Sequence, residues 1–340
     1  MAARLKDISE RVGVSIATVS RVLNGREVGG FIGEETRQRI FSVAAELGYR
    51  PNLLARGLRG SRSSLIGVIV RDVADPFMSE TLKGIHQGAL KRGFRLFLGH
   101  VEQPSAAIDY GAMFEQSHAD GILLLGDMME NDSMVEYLTS KHRHIVGVVD
   151  SKKHQAFPGV YIDNNLGARL ALDHLWGLGH RNIVCVAEQG AYDRVLRVQE
   201  YRSWMHSRDL DTYMRVFNTE ESPRSAFATG LEIFSNSAPP TAIFAVTDRI
   251  AIGLLRAAYE SHISVPKQVS IIGFDNIELS EFVTPPLTTI SQAPAQMGYV
   301  AAELLIDMME QELDSSTIKD LVLTPELIIR QSSDIPPSRA

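Results

Sequence analysis

The stretch VGVSIATVSRVLNG, residues 12–25, decides how the rest of the chain is read. It sets Val19, Val22 and Leu23 against three hydroxyls, Ser15, Thr18 and Ser20, and one arginine, Arg21. A helix that only filled a core would not need that polar side, and an ordinary surface helix carries more Glu and Lys. Ser15 is a good N-cap and Asn24-Gly25 a stop signal, so the spacing predicts a short helix between them. Upstream, Leu5, Ile8 and Val12 share one helical face, and Gly13 ends that first helix. Two short helices about a tight glycine turn make a helix-turn-helix. A third is predicted from about Glu34 to Leu47, with Ile40, Val43, Ala44 and Leu47 on one face and Gly48 closing it. Ile16, Ala17, Thr18, Ser20 and Arg21 face outward from the second helix. Short side chains let a helix sink into a DNA major groove, hydroxyls reach phosphates, and Arg takes guanine O6 and N7 together. On pattern alone, a solvated helix in an unrelated three-helix domain stays open.

At 340 residues and 44% apolar, the chain can build two or three domains with sizeable cores. A single cysteine, Cys185, excludes a disulfide framework and any Cys-rich metal site, and fits a reducing compartment. There is no apolar signal core and no run approaching the roughly 18 apolar residues of a membrane span. The expectation is a cytoplasmic protein with no membrane partner. Net charge is −7, unevenly placed: residues 1–60 hold ten Lys and Arg against six Asp and Glu. A basic head on an acidic body suggests a polyanion partner for the head alone.

Beyond residue 64 the chain alternates. Strand-like runs fall at 65–70, 95–100, 121–126, 145–150 and 159–163, then at 182–187, 214–219, 241–247 and 269–275. Helical patterns such as Met78, Leu82, Ile85, Ala89, or Leu170, His174, Leu178, lie between them. Continuous apolar strands alternating with amphipathic helices predict an α/β body of parallel sheets covered on both faces, here in two lobes. Ligands in such sheets bind beyond the carboxyl ends of the strands, and between lobes when there are two. The polar residues there are Asp75, Asp150, Thr247-Asp248, Asp275 and Gln292. Several carboxylates in one cleft imply a partner rich in donors, such as sugar hydroxyls, on whose face Phe77 could stack. Each Asp alone could instead cap a helix, and Asp248, just before Arg249, fits a cap especially well.

The wording of the chain goes further than its pattern. LKDISERVGVSIATVSRVLN (5–24) and RQRIFSVAAELGYRPNLLARGL (37–58) strongly resemble the head of the lactose-repressor/galactose-repressor family of bacterial transcription regulators. The resemblance continues through DPF (75–77), HLWGLGHRNI (174–183), TDRIAIGLLRA (247–257), VSIIGFDN (269–276) and PPLTTISQ (285–292), in the family's order. It implies a three-helix helix-turn-helix head, a hinge segment, and a two-lobed periplasmic-binding-protein-like body. The implied domains are residues 1–60, with the hinge at 50–60, and 61–340. The N-lobe would take about 64–162 plus 292–322, and the C-lobe about 163–291 plus 323–333.

The resemblance also implies residue roles. DNA contacts would come from Leu5, Lys6, Ser15, Ile16, Ala17, Thr18, Ser20, Arg21, Asn24, Tyr49, Asn52, Ala55 and Leu58. Effector contacts would come from Asp75, Phe77, Asp150, Tyr161, Arg197, Thr247, Asp275 and Gln292. In RPNLLARGLRGSRSS (50–64), two glycines make a poor independent helix, and the bland reading is a flexible linker. The family instead folds this segment on DNA and wedges the residue matching Leu58 into the minor groove, which favours a deformable central step. Two departures stand out. The loop before the third helix is about two residues longer than usual and offers Gly33 where a Ser cap is common. Glu200 and Thr247 replace a usual Gly and Asn.

Enzymatic readings find no support: there is no H-E-x-x-H, no G-x-S-x-G, and no nucleotide-binding glycine loop, so neither a metal nor a cofactor is expected. A free sugar-binding transport protein would need a secretory signal and would lack the helix-turn-helix. A simple nucleoid-type DNA binder would not need nearly 280 residues of two-lobed sheet. The reading is therefore a homodimeric repressor of a pseudo-palindromic operator, controlled by a sugar-like effector. A dimer is expected because RQSSDIPPSRA (330–340) has two prolines and no heptad.

Overall fold

The computed structural model describes residues 3–23, 32–49, 63–100, 119–126, 133–142, 144–149, 157–188, 191–220, 222–314 and 317–337. By contacts the chain divides into residues 1–63 and 64–340, head and body.

Among the described residues the head holds three helices, α1 (Leu5–Val12), α2 (Ile16–Leu23) and α3 (Glu34–Glu46). Gly13 ends α1 at φ +79, a left-handed conformation that glycine adopts without penalty. Ser15 caps α2: its Oγ accepts from Thr18 N–H at 3.1 Å and lies 2.8 Å from Thr18 Oγ1. Ile8, Val12, Val19, Val22, Ile40 and Ala44 form the core, with Leu5, Leu23, Val43, Leu47 and Tyr49 packed on it. Gly33 occupies the N-cap of α3 with no side-chain bond, as its missing hydroxyl requires.

The body has two six-stranded sheets. The first, in order β11-β5-β4-β3-β1-β2, is parallel throughout. Its strands are β1 (Leu65–Val70), β2 (Arg95–His100), β3 (Gly121–Leu125), β4 (Ile145–Val148), β5 (Gly159–Ile162) and β11 (Leu321–Leu323). Helices α4 (Pro76–Lys91), α5 (Ser133–Lys141) and α11 (Pro294–Glu310) belong to this lobe. The second sheet runs β12-β10-β9-β8-β6-β7, with only β12 antiparallel. It comprises β6 (Ile183–Glu188), β7 (Val216–Thr219), β8 (Ala242–Ala245), β9 (Ser270–Asp275), β10 (Thr288–Ser291) and β12 (Glu326–Ile328). Its helices are α6 (Asn164–Gly177), α7 (Tyr192–His206), α8 (Pro223–Phe234), α9 (Asp248–Glu260) and the short α10 (Leu279–Phe282).

The chain therefore passes between lobes three times: after β5, after β10, and between β11 and β12. The largely buried, mostly apolar runs in β1, β3, β4, β6, β8 and β9 follow from helices covering both faces. On α4, Met78, Ile85 and Ala89 are buried as their spacing predicts. The buried stripe of α6 differs from the expected Leu170, His174, Leu178: it is Gly167, Ala168, Ala171, Leu172 and Leu175. Small residues there let α6 lie close on the sheet, and a Cβ on Gly167 would fall 2.7 Å from the Phe274 ring. In the N-lobe, a Cβ on Gly84 would meet the Ala295 carbonyl oxygen at 1.8 Å, so glycine sets the approach of α4 to α11.

Candidate functional site

In the head, α2 buries Val19 and Val22 and leaves Ile16, Ala17 and Arg21 exposed, with Thr18 and Ser20 half-buried. Ile16 is 44% exposed. Ser15 is exposed, although its hydroxyl already serves the cap. Lys6 is exposed and pairs with Glu10 at 3.7 Å, whereas Leu5 and Tyr49 lean on the core. Asn24, Asn52, Ala55 and Leu58 lie outside the described residues.

In the body, the carboxyl ends of β6, β8 and β9 and the first turns of α7 and α9 bring a charged cluster together. Arg197, on α7, is 1% exposed. Its Nε donates to Asn164 Oδ1 at 2.9 Å and its Nη1 to the Val246 carbonyl at 2.7 Å. Nη2 lies 2.9 Å from Asp193 Oδ2, Nη1 lies 3.5 Å from Asp275 Oδ1, and the guanidinium stacks 3.6 Å from the Phe274 ring centroid. Gln292 Nε2 donates to the same Asp275 oxygen at 2.5 Å, while Gln292 Oε1 is buried with no hydrogen-bond partner among the described residues. Asp275 itself sits at φ +119, a region costly for a side-chain-bearing residue. Strain of this kind persists where the surroundings over-determine it, and here Arg197 and Gln292 do so.

Burial pushes the Asp275 carboxyl well above the usual range, with Arg197 pulling it back and Asp248 and Asp75 adding to the rise. Burial likewise raises Asp75, against its bond from Phe77 N–H (2.9 Å) and the pull of Arg249 and Arg194. For Asp193, burial opposes ionisation, but Arg197 and Arg194 outweigh it and hold the carboxyl below its ordinary value. One guanidinium thus serves two carboxylates of opposite tendency.

Arg197, Asp275 and Gln292 are in direct contact, Asp75 of the other lobe is close enough to act on Asp275, and Thr247 follows β8. Asp75 caps α4. The cap of α9 is Thr247, whose Oγ1 accepts from Ile250 N–H at 3.3 Å, and not Asp248 as expected. Asp248 is instead drawn inward, where it accepts from Ile277 N–H, Ser280 Oγ and Thr289 Oγ1. Phe77 adjoins the cluster through its N–H to Asp75 and is 4% exposed, within the main apolar core. One candidate is placed apart. Tyr161 turns toward the amino-terminal end of its sheet, where its hydroxyl donates to Asp320 Oδ2 at 3.0 Å. Asp150 lies outside the described residues. Sequence reading missed Asp193 and Asn164; the four-residue spacing of Asp193 and Arg197 on one helix was the available signal for the first. Glu200, the departure noted above, pairs with Arg169 at 2.9 Å.

Among the described residues, no group of three or more His, Cys, Asp or Glu is placed to hold a metal ion, and no helix is long and apolar enough to cross a membrane.

A helix-turn-helix head on a two-lobed α/β body with a polar inter-lobe cluster defines a ligand-responsive regulator by class. Comparison with known proteins agrees. Residues 4–52 match the model for "Bacterial regulatory proteins, lacI family", and residues 172–333 match that for "Periplasmic binding protein-like domain". The HTH-type transcriptional regulator DegA of Bacillus subtilis is 33% identical over 98% of each chain. The HTH-type transcriptional repressor CytR of Escherichia coli is 34% identical over 98% of this chain and 96% of its own. The Lac repressor dimer bound to operator and the anti-inducer ONPF shares the fold, with TM-score 0.88 and 24% identity over 98% of this chain and 100% of its own. The chain belongs to the lacI family of bacterial regulatory proteins.

Proposed function

We propose that the protein is a homodimeric, cytoplasmic repressor that binds a pseudo-palindromic operator through α2 and is controlled by a neutral, hydroxyl-rich effector between its lobes. The observation that carries the DNA half is the exposed face of α2, where Ile16, Ala17 and Arg21 project from a helix fixed by its buried side. Ile16 and Ala17 discriminate by apolar contact, for instance with a thymine methyl, and Arg21 supplies a guanine readout. Leu58 is the minor-groove wedge. The working boundaries stay at 1–60 for head and hinge and 61–340 for the body. Within the body, lobes of about 64–162 plus 292–322 and about 163–291 plus 323–333 accord with how the strands are shared.

The effector contacts are Asp75, Asp150, Thr247, Asp275 and Gln292, with Arg197 acting mainly by holding Asp275 and Asp193 in place. Two observations support a neutral, donor-rich ligand. Arg197 is 1% exposed and its guanidinium already lies among Asn164, Val246, Asp193 and Asp275, so it presents no open face to a phosphate or carboxylate. Gln292 Oε1 is a buried acceptor that a ligand hydroxyl would satisfy. Catalysis is not part of the proposal. Cys185, the nucleophile most easily suspected, is fully buried, and burial drives its thiol far above the range where thiolate forms.

A thermal-shift screen of sugars, sugar phosphates, nucleosides and purines tests the effector half, since a ligand specific for the native state raises the melting temperature. Neutral sugars or nucleosides are expected to score. A response confined to phosphorylated compounds would overturn the neutral class.

A further inference from the structure

The turn after β1 carries Asp72 and Asp75, and the first turn of α9, in the other lobe, carries Arg249. Asp72 Oδ1 accepts from Ala74 N–H at 2.8 Å, which fixes the carboxylate within its own turn. The other oxygen, Oδ2, lies 3.6 Å from Arg249 Nη1. Arg249 is the less exposed partner, at 21% against 48%. A cation in the first turn of a helix sits at the wrong end of the helix dipole, so its position calls for compensation. Its neighbour Asp248 is occupied with Ile277, Ser280 and Thr289 and faces inward. The compensation comes instead from the N-lobe: Asp72 in contact, and Asp75 close enough to feel both Arg249 and Arg194. Arg194, 3.2 Å from Glu188 of its own lobe, widens the positive wall that faces Asp75.

We propose that Asp72 and Arg249 form a latch across the cleft that draws the lobes together before any ligand binds. This goes beyond the effector reading, because it concerns lobe closure in the ligand-free chain and holds whatever the effector is. The latch biases the protein toward closure, and an effector then acts on an equilibrium already tilted by the chain's own charges. A half-exposed ion pair supports a bias of about 2- to 5-fold in the closed-to-open ratio, reduced by salt.

The test uses the full-length protein without ligand, carrying donor and acceptor dyes on cysteines introduced at the exposed Gln87 (α4) and Glu232 (α8), diluted into unlabelled chain. Cys185 is fully buried and stays unlabelled. Asp72→Asn keeps the oxygen that accepts from Ala74, so the turn survives while the charge is lost. Asp72→Asn and Arg249→Gln should each lower the closed-to-open ratio about 2- to 5-fold, and their combination should lower it no further. The exchanged pair D72R/R249D should restore part of the closure. Distance distributions identical in parent and single variants, or fully additive effects in the double variant, would overturn the latch. A circular-dichroism melt confirms that each variant is folded, and Arg249→Gln alone suffices should the Asp72 turn fail.

Discussion

Arg197 and Asp193 form a buried ion pair one helical turn apart on α7, Nη2 to Oδ2 at 2.9 Å, with the same guanidinium reaching Asp275 at 3.5 Å. Both carboxylates look first to this cation, with Arg194 a weaker second. Removing Arg197 strips two largely buried carboxyls of their nearest cation, and broken buried pairs are costly where intact ones are close to neutral. Arg197→Ala is therefore expected to destabilise the body by about 3–5 kcal/mol, as well as to abolish any effector response. Urea denaturation followed by circular dichroism measures this. A loss below about 1 kcal/mol would mean the cluster relaxes without its centre.

Asp248 supplies a pH prediction. Burial raises its carboxyl to about 6, against the bonds from Ser280, Thr289 and Ile277. A group whose pKa is higher folded than unfolded binds its proton more tightly in the native state. The stability it adds is complete below about pH 4 and is lost as the pH rises through about 6. Asp248→Asn cannot ionise and lacks that decline. Between pH 4 and 7 the parent should thus lose on the order of 2–3 kcal/mol relative to the variant. Parallel stability curves for the two proteins across that window would show that Asp248 titrates normally.

The extent to which the sequence was legible differs between the two units. The head helices end where Gly13, Ser15 and Gly48 predict, because caps and left-handed turns are local events. Strand β1 matches its predicted limits, since a strand buried on both faces reads as one apolar run, and the partly exposed edge strand β2 matches its limits too. Strand β10, Thr288–Ser291, is rich in Thr and Ser and shows no apolar run, while β11 and β12 are three residues each, too short for a run to announce a strand. The buried stripe of α6 was misplaced because glycine and alanine carry little hydrophobic signal while fitting closest to the sheet. At the cleft, residue types pointed to Arg197, Asp275 and Gln292, but whether Thr247 or Asp248 capped α9 depended on which way Asp248 turned. That choice was made by Ser280 and Thr289, 32 and 41 residues further on, and no local pattern carries it. Tyr161 was drawn away by Asp320, at a separation of 159 residues.

Leu58 separates the wedge from the linker. If it unstacks a base step at the operator centre, Leu58→Ala should weaken operator binding by a few kcal/mol and leave the body's melting temperature and effector affinity unchanged. Gel-shift titration at fixed salt reads the first and thermal shift the second. Equal operator affinity for variant and parent would return residues 50–60 to the status of a linker.

The central claim, that α2 reads DNA as one half of a symmetric dimer, is tested most directly by selection of randomised duplexes with the full-length protein. Two-fold symmetry requires an inverted repeat, and a paired hinge requires a deformable centre. The expected product is a pseudo-palindrome of about 14–18 base pairs with A/T-rich arms, one G·C contact in each and a CpG step at the dyad. Arg21→Ala should relax preference at the G·C position by about 1–3 kcal/mol, and Ile16→Tyr with Ala17→Gln should select a different half-site. Enrichment of direct repeats, or the same half-site from the double variant and the parent, would contradict the account.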